Sequence, residues 1–155
     1  MSSSLRGAVA IASVAAMLWS STSWAVPTGP QVEVIDPWVR ATVAGQPVAG
    51  AFMELKSPKA ARLVGATTPA AKRVELHEMK HEGGVMKMRA RKDIALPAGE
   101  SVRLEPGGLH IMLLGLRGAL EPGDTVNITL EFQVAGMLAL EVPVRALAAT
   151  QGGNP

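Results

Sequence analysis

Two short segments of the chain each carry a histidine and a methionine two residues apart. His77 and Met79 lie in RVELHEM, and His110 and Met112 lie in PGGLHIMLLGL. Side chains of a β-strand alternate between its two faces, so each pair shares one face, about 6 to 7 Å apart along the strand. An imidazole nitrogen and a thioether sulfur on one face form a donor pair that suits a soft metal ion.

The same alternation predicts which side of each strand faces the core. Ile111 and Leu113 would point inward from one strand, and Val74 and Leu76 from the other. The histidines and methionines then lie on the opposite, outward or rim face. We therefore expect His110 and its neighbours to be accessible rather than buried.

The composition of the chain narrows the choice of metal. The chain has three histidines, His77, His81 and His110, and no cysteine. Four methionines lie between residues 77 and 112, namely Met79, Met86, Met88 and Met112. Neutral nitrogen and thioether donors without thiolate favour Cu(I), because calcium prefers carboxylates and zinc or iron gain little from thioethers. In an oxidising compartment methionine also binds soft metal without thiol exchange.

Ordinary structural roles compete for several of these residues. Alternation in GVMKMRAR allows Met86 and Met88 to be a buried pair, because methionine commonly fills gaps in cores. We expect His81, in the polar segment KHEGG, to be a surface loop residue. Met53 and Met137 are predicted to be core residues.

Short apolar or alternating runs punctuated by Gly and Pro predict an all-β fold, a sandwich or a barrel. Almost no stretch has helical periodicity. Ten strands are expected, at residues 32–35, 39–43, 50–56, 62–67, 73–79, 85–91, 101–104, 109–114, 125–132 and 137–144.

The termini differ from this pattern. Residues 1–25 have the layout of a secretory signal peptide, with Arg6, then an uncharged apolar stretch, then Ser23-Trp24-Ala25. We expect one domain at residues 26–145 and a disordered tail at residues 146–155. No later segment is long and apolar enough to span a bilayer. We expect an exported protein without a membrane anchor, because no cysteine offers a lipid attachment point.

Composition also excludes several classes of function. Of the 15 Lys and Arg residues, Arg6 falls in the leader, which leaves 14 against 13 Asp and Glu. This balance gives no argument for a nucleic acid or an anionic membrane as partner. Without cysteine there is no thiolate nucleophile and no blue-copper sulfur, and no nucleophile–base pair suggests an enzyme.

The spacing of the candidate donors is the most specific feature of the chain. Ten residues separate His77 from Met88, twenty-one separate Met88 from His110, and one separates His110 from Met112. This spacing resembles the metal motif of the PCuAC family of periplasmic copper chaperones. The segments DPWVRAT, AGAFMEL, VELHEM, GVMKMR and LPAGESVRLEPGGLHIMLLGL extend the resemblance over roughly residues 34–144.

The resemblance implies a cupredoxin-like Greek-key β-barrel or sandwich that holds one Cu(I) through His77, Met88, His110 and Met112. It implies a monomeric periplasmic metallochaperone that delivers copper toward the Cu(A)-bearing subunit of cytochrome c oxidase, alongside a Sco-type thiol protein. Some relatives carry a His- and Met-rich C-terminal extension, whereas this chain ends in ALAATQGGNP. Copper buffering or storage, or a metal-free Ig-like interaction module, are the alternatives.

Overall fold

A computed structural model describes residues 31–146. The expected signal peptide and all but the first residue of the expected tail lie outside this range. The described chain forms ten β-strands: β1 (Glu33–Arg40), β2 (Val48–Lys56), β3 (Ala61–Thr67), β4 (Ala71–Glu82), β5 (Val85–Arg91), β6 (Ile94–Leu96), β7 (Ser101–Leu104), β8 (Leu109–Leu116), β9 (Thr125–Gln133) and β10 (Gly136–Arg145). The all-β prediction is therefore confirmed. Within the same range no helix is long and apolar enough to cross a membrane.

The strands join in the order β5-β4-β8-β7-β2-β1-β10-β9-β3-β6. All neighbouring pairs are antiparallel except β1 with β10 and β7 with β8, which are parallel. Core residues of β8, such as Ile111, and of β9, such as Leu130, are fully buried in one cluster. Both halves of the sheet must therefore fold over a shared core, which is the sandwich arrangement of cupredoxin-like folds.

Alternation along the strands decides which side chains enter this core. In β9, Val126, Ile128, Leu130 and Phe132 are buried, and the residues between them are exposed or partly exposed. In β10 the buried Val142 and Val144 fix the phase. Met137 falls on the opposite phase and is 75% exposed, so its predicted core position is wrong. Met53 is buried as predicted.

The first strand is longer than the sequence pattern indicated. Two strands were expected on either side of Asp36-Pro37, but β1 runs through this dipeptide with a shift of register between Ile35 and Trp38. Asp36 adopts a left-handed conformation with φ of 46°. Such a bulge leaves Pro37, which has no N–H to donate, out of the ladder, and pairing resumes at Trp38.

The β4–β5 hairpin is also longer than expected. The strand β4 extends to Glu82, and the chain turns at Gly83 and Gly84, whose φ angles are 60° and 78°. Two consecutive positive φ angles define the tight turn that suits a two-residue hairpin, and glycine adopts them without strain. His81 therefore lies in a strand rather than in a loop. The short strand β6, which pairs with β3, was not predicted.

Candidate metal centre

The two histidines of the predicted site lie directly opposite each other. His77 in β4 and His110 in β8 are register partners, and their ring centroids are 5.8 Å apart. Directly opposed residues of an antiparallel pair share one face of the sheet. Two imidazoles that share one ion at bond lengths of about 2.0 Å place their centroids roughly 5 to 6 Å apart. The observed separation is compatible with a shared ion.

His110 is held in one orientation by the backbone. Its Nδ1 atom lies 3.0 Å from the carbonyl oxygen of Gly108. Because a carbonyl only accepts hydrogen bonds, Nδ1 carries the proton and the lone pair resides on Nε2. The face predicted for His110 is correct, but the predicted accessibility is wrong, since the residue is only 6% exposed.

His77 is oriented by a carboxylate. Its Nε2 atom donates to Oε2 of Glu75 over 2.9 Å, which leaves the lone pair on Nδ1. That Nδ1 atom is buried and has no hydrogen-bond partner among the described residues. A buried lone pair without a partner is costly unless something occupies it, and a metal ion is one such occupant.

Glu75 is therefore the residue that orients His77, and not only a solvated surface residue. The hydrogen bond from His77 lowers the pKa of the Glu75 carboxyl, and Arg73, at 2.8 Å, lowers it further while desolvation opposes the change. The carboxylate stays ionised at neutral pH and keeps accepting from His77. Glu78, which follows His77 in the sequence, instead pairs with Arg91 at 3.0 Å.

Three methionines complete the surroundings of the histidines. Met79 of β4 and Met88 of β5 are register partners, and Met112 of β8 lies opposite Glu75 on one side and Gly50 on the other. Met79, Met88, Met112 and His110 line one open pocket of about 210 Å³. Met88 is 46% exposed, so the alternative that it fills the core is wrong.

An aromatic wall closes the other side of the pocket. The Phe52 ring lies 6.3 Å from the His110 ring, and Trp38 packs on Phe52 with a centroid distance of 4.6 Å. The Arg40 guanidinium lies 5.4 Å from the centre of the Phe52 ring and also lines the pocket. The Phe52 ring lies beside His110 and contributes to its burial, and Trp38 packs behind Phe52.

The wall depends on a glycine. A Cβ atom at Gly50 would lie 2.8 Å from Cζ of Phe52, which is closer than real contacts allow. Only glycine at this position lets the Phe52 ring lie back over its own strand. The sequence signal for Trp38, Arg40 and Phe52 was present in DPWVRAT and AGAFMEL, but no function was assigned to these residues there.

Three of the four predicted site residues thus line one pocket, namely Met88, His110 and Met112. The fourth, His77, does not line it but lies against His110 with its free nitrogen buried. Among residues 31–146, no three His, Asp or Glu side chains are close enough to hold a metal without other donors. A site here with three or more side-chain donors would have to include thioether sulfur, which favours a soft monovalent ion.

Two donors lie outside this pocket. His81 and Met86 are register partners near the end of the β4–β5 hairpin, and Met86 is 47% exposed. Met86 is therefore not the core residue that one interpretation of the sequence allowed. His81 is exposed, as expected, although it belongs to a strand.

Comparisons with known proteins identify the family to which the chain is related. The family described as "Putative lipoprotein LpqE-like" matches residues 32–144. A relative from Leifsonia xyli subsp. xyli (strain CTCB07), named "Putative lipoprotein Lxx21020", is 38% identical over 117 residues. The match covers 74% of this chain and 69% of the relative.

Solved structures show the same fold. The copper-bound PCuAC domain from PmoF2 is 24% identical with a TM-score of 0.63, over 76% of this chain and 95% of that domain. The Cu(I) form of DR1885 from Deinococcus radiodurans is 31% identical with a TM-score of 0.59, over 81% of this chain and 83% of that protein. Its apo form is 30% identical over 94% and 97% of the two chains, also with a TM-score of 0.59.

Proposed function

The chain belongs to the LpqE-like family, and from this membership and the pocket described above we propose that it is a Cu(I)-binding metallochaperone of the cell envelope. His77, Met88, His110 and Met112 are the proposed ligands. The observation that supports the proposal is that His77 and His110 are cross-strand partners and that Met79, Met88 and Met112 lie beside them on the same face of β4, β5 and β8.

The nitrogen atoms are already assigned by their other hydrogen bonds. Nδ1 of His77 and Nε2 of His110 are the free nitrogens, because Glu75 and the Gly108 carbonyl accept from the opposite nitrogen of each ring. Such outer hydrogen bonds fix the tautomer and orientation of metal-binding histidines. No side-chain tautomer has to change when copper arrives.

The Cu(I) form of DR1885 supports the choice of metal. That protein is 31% identical in sequence to this chain where the two match and has the same fold over most of both chains. All four ligands proposed here are neutral, so the bound ion keeps its positive charge and is held by soft donation alone. The binding is therefore suited to transfer.

Release is expected to begin at the exposed side of the pocket. Met88 is half exposed, whereas His110 is buried beneath Phe52. A partner that offers thiolates reaches Met88 first, and a thioether on a flexible side chain is the weakest donor of the set. The Arg40 guanidinium at the pocket also disfavours a bound cation electrostatically and so aids release.

We assign the chaperone to the outside of the cytoplasm, consistent with the lipoprotein names of its family and of its relative. The acceptor we propose is the Cu(A) centre of cytochrome c oxidase, with a Sco-type thiol protein as an intermediate partner. The protein acts as a monomer and catalyses no reaction. Storage of copper would use the same residues without a dedicated acceptor.

Transfer of copper separates these possibilities. Protein loaded with one equivalent of Cu(I) is mixed with a soluble apo-Cu(A) domain or, as control, with an unrelated apo-cupredoxin, and copper is measured in each after separation. Delivery predicts faster and more complete transfer to the Cu(A) domain. Equal transfer to both acceptors would indicate storage, and a protein that retains no Cu(I) at all would indicate a metal-free module.

A further inference from the structure

The β4–β5 hairpin has two chemically different faces. On its charged face, Arg91 pairs with Glu78 at 3.0 Å, and Arg89 pairs with Glu82 at 2.7 Å. Lys80 and Lys87 add longer contacts to the same two carboxylates. The charges on this face are therefore largely satisfied among themselves.

The opposite face, called here the donor face, carries only soft or nitrogen donors along most of its length. It consists of two cross-strand pairs beyond the His77 position, Met79 with Met88 and His81 with Met86. Met86 and Met88 are 47% and 46% exposed, and neither belongs to the hydrophobic core. Core packing therefore does not explain why these positions hold methionine.

The donor atoms of the outer pair are already in contact. Nδ1 of His81 lies 3.3 Å from Sδ of Met86. Bond lengths of roughly 2.0 Å to nitrogen and 2.3 Å to sulfur, as known for zinc, would place a shared ion at an angle of about 100° between the two donors. We propose that His81 and Met86 form a second, outer site for a soft monovalent metal ion, distinct from the pocket at His110 and Met112.

The position of this outer site gives it a role relative to the pocket. The Met79–Met88 pair lies between the two sites, one two-residue strand step, about 6 to 7 Å, from each histidine on β4. Both of these methionines line the pocket. The donor face therefore offers a continuous series of sulfur atoms from the exposed end of the hairpin to the pocket. In this arrangement the outer site is the first to bind an incoming ion. This role, and the identity of the ion as Cu(I), rest on the function proposed above.

Titration of the whole protein with Ag(I) tests the outer site. Ag(I) is soft and monovalent and is not oxidised during the measurement. Methionine methyl NMR resonances follow each sulfur separately, and native mass spectrometry counts bound ions. We expect two equivalents to bind, the first shifting the methyl of Met112 and the second shifting that of Met86, with the exposed Met137 unaffected.

Matched variants assign the second equivalent. Met86→Leu and His81→Asn keep the approximate volume of the side chain and remove a donor, and both positions are exposed, so folding is unaffected. Each should weaken the second equivalent at least about tenfold and leave the first within twofold. Met137→Leu, at an exposed methionine on β10, is the control and should change neither.

The outcomes distinguish this proposal from the proposed function. Binding of a single equivalent, or a loss of the first equivalent in Met86→Leu, would overturn the outer site. Met112→Leu should weaken only the first equivalent. If it leaves both equivalents unchanged, the pocket proposal fails, while the Met86 and His81 variants still decide the outer site.

Discussion

At the scale of single residues, the histidines and methionines of the pocket differ in how far they are tied into the fold. His110 is buried and donates to the Gly108 carbonyl, whereas Met88 is half exposed on a strand with no buried residue. Loss of either side chain should weaken Cu(I) binding, but only loss of His110 should also lower the stability of the fold. The two variants therefore separate a binding role from a structural one.

Met88→Leu should lower Cu(I) affinity at least about tenfold without changing the melting temperature of the apo protein. His110→Ala should lower Cu(I) affinity and also destabilise the protein by about 1 to 3 kcal/mol, because a buried hydrogen bond and ring contacts are lost. Competition against a colorimetric Cu(I) chelator and thermal melts measure both quantities. Unchanged affinity in both variants would contradict the assignment.

Sequence patterns identified the proposed metal ligands but not the residues that pack against them. Strand alternation alone placed His77 on one face of its strand and His110 and Met112 on one face of another, and the structure pairs the two strands so that these faces coincide. Alternation missed the burial of His110, because Phe52 lies 58 positions earlier in the chain and only the fold brings its ring over the imidazole. The sequence alone also does not show that Glu75 orients His77, because a hydrogen bond to a neighbouring ring depends on side-chain rotamers.

At the scale of single elements, β2 supports the pocket through the absence of a side chain. Gly50→Ala would place a Cβ atom 2.8 Å from Cζ of Phe52 and displace the ring from His110. We expect a loss of about 1 to 3 kcal/mol of stability and weaker Cu(I) binding. Gly118→Ala is the control, because its Cβ would meet nothing within 4 Å, and it should unfold as the wild type does. Equal melting temperatures for both variants would contradict the proposed wall.

The bulge of β1 is tied to β10 by an ion pair. Arg145 donates two hydrogen bonds to Asp36, and these hydrogen bonds lower the pKa of the Asp36 carboxyl. Because the folded pKa is below the unfolded value, the stabilisation is complete above that value, about 3.9, and is lost as the pH falls through the folded pKa. The pair is exposed, so its contribution should be below about 1 kcal/mol.

Asp36→Asn tests this linkage, because asparagine tolerates the left-handed backbone of this position and removes only the charge. Urea unfolding should show a small, constant deficit of the variant between pH 5 and 8. The deficit should disappear in acid below about pH 4 as Asp36 is protonated in the wild type. A deficit that grows as the pH falls would contradict the role given to Arg145.

The strands differ in how well their buried faces and lengths can be predicted from sequence patterns. The phase of β9 follows directly from its alternating apolar residues. The phase of β10 was misjudged at Met137, because Met137 and Leu138 are both apolar and only the core contacts of Val142 and Val144 decide between them. The length of β4 was underestimated because its end is polar and is held by pairing with β5 rather than by burial.

At the scale of the whole molecule, one sheet provides both stability and access. Its halves enclose the core, and the β4–β5 hairpin stands at one edge with both strands partly free of that core. Rigid strands thus position the two imidazoles, while the exposed hairpin presents sulfur atoms to a partner. The long spacing between His77 and His110 is explained by their direct pairing across β4 and β8.

Copper K-edge X-ray absorption of the protein loaded with one equivalent of Cu(I) tests the central claim most directly. The account predicts a first shell that contains both imidazole nitrogen and thioether sulfur, with sulfur scattering reduced in Met112→Leu and imidazole scattering reduced in His110→Ala. A first shell of nitrogen or oxygen without sulfur, or a spectrum that neither substitution changes, would contradict it.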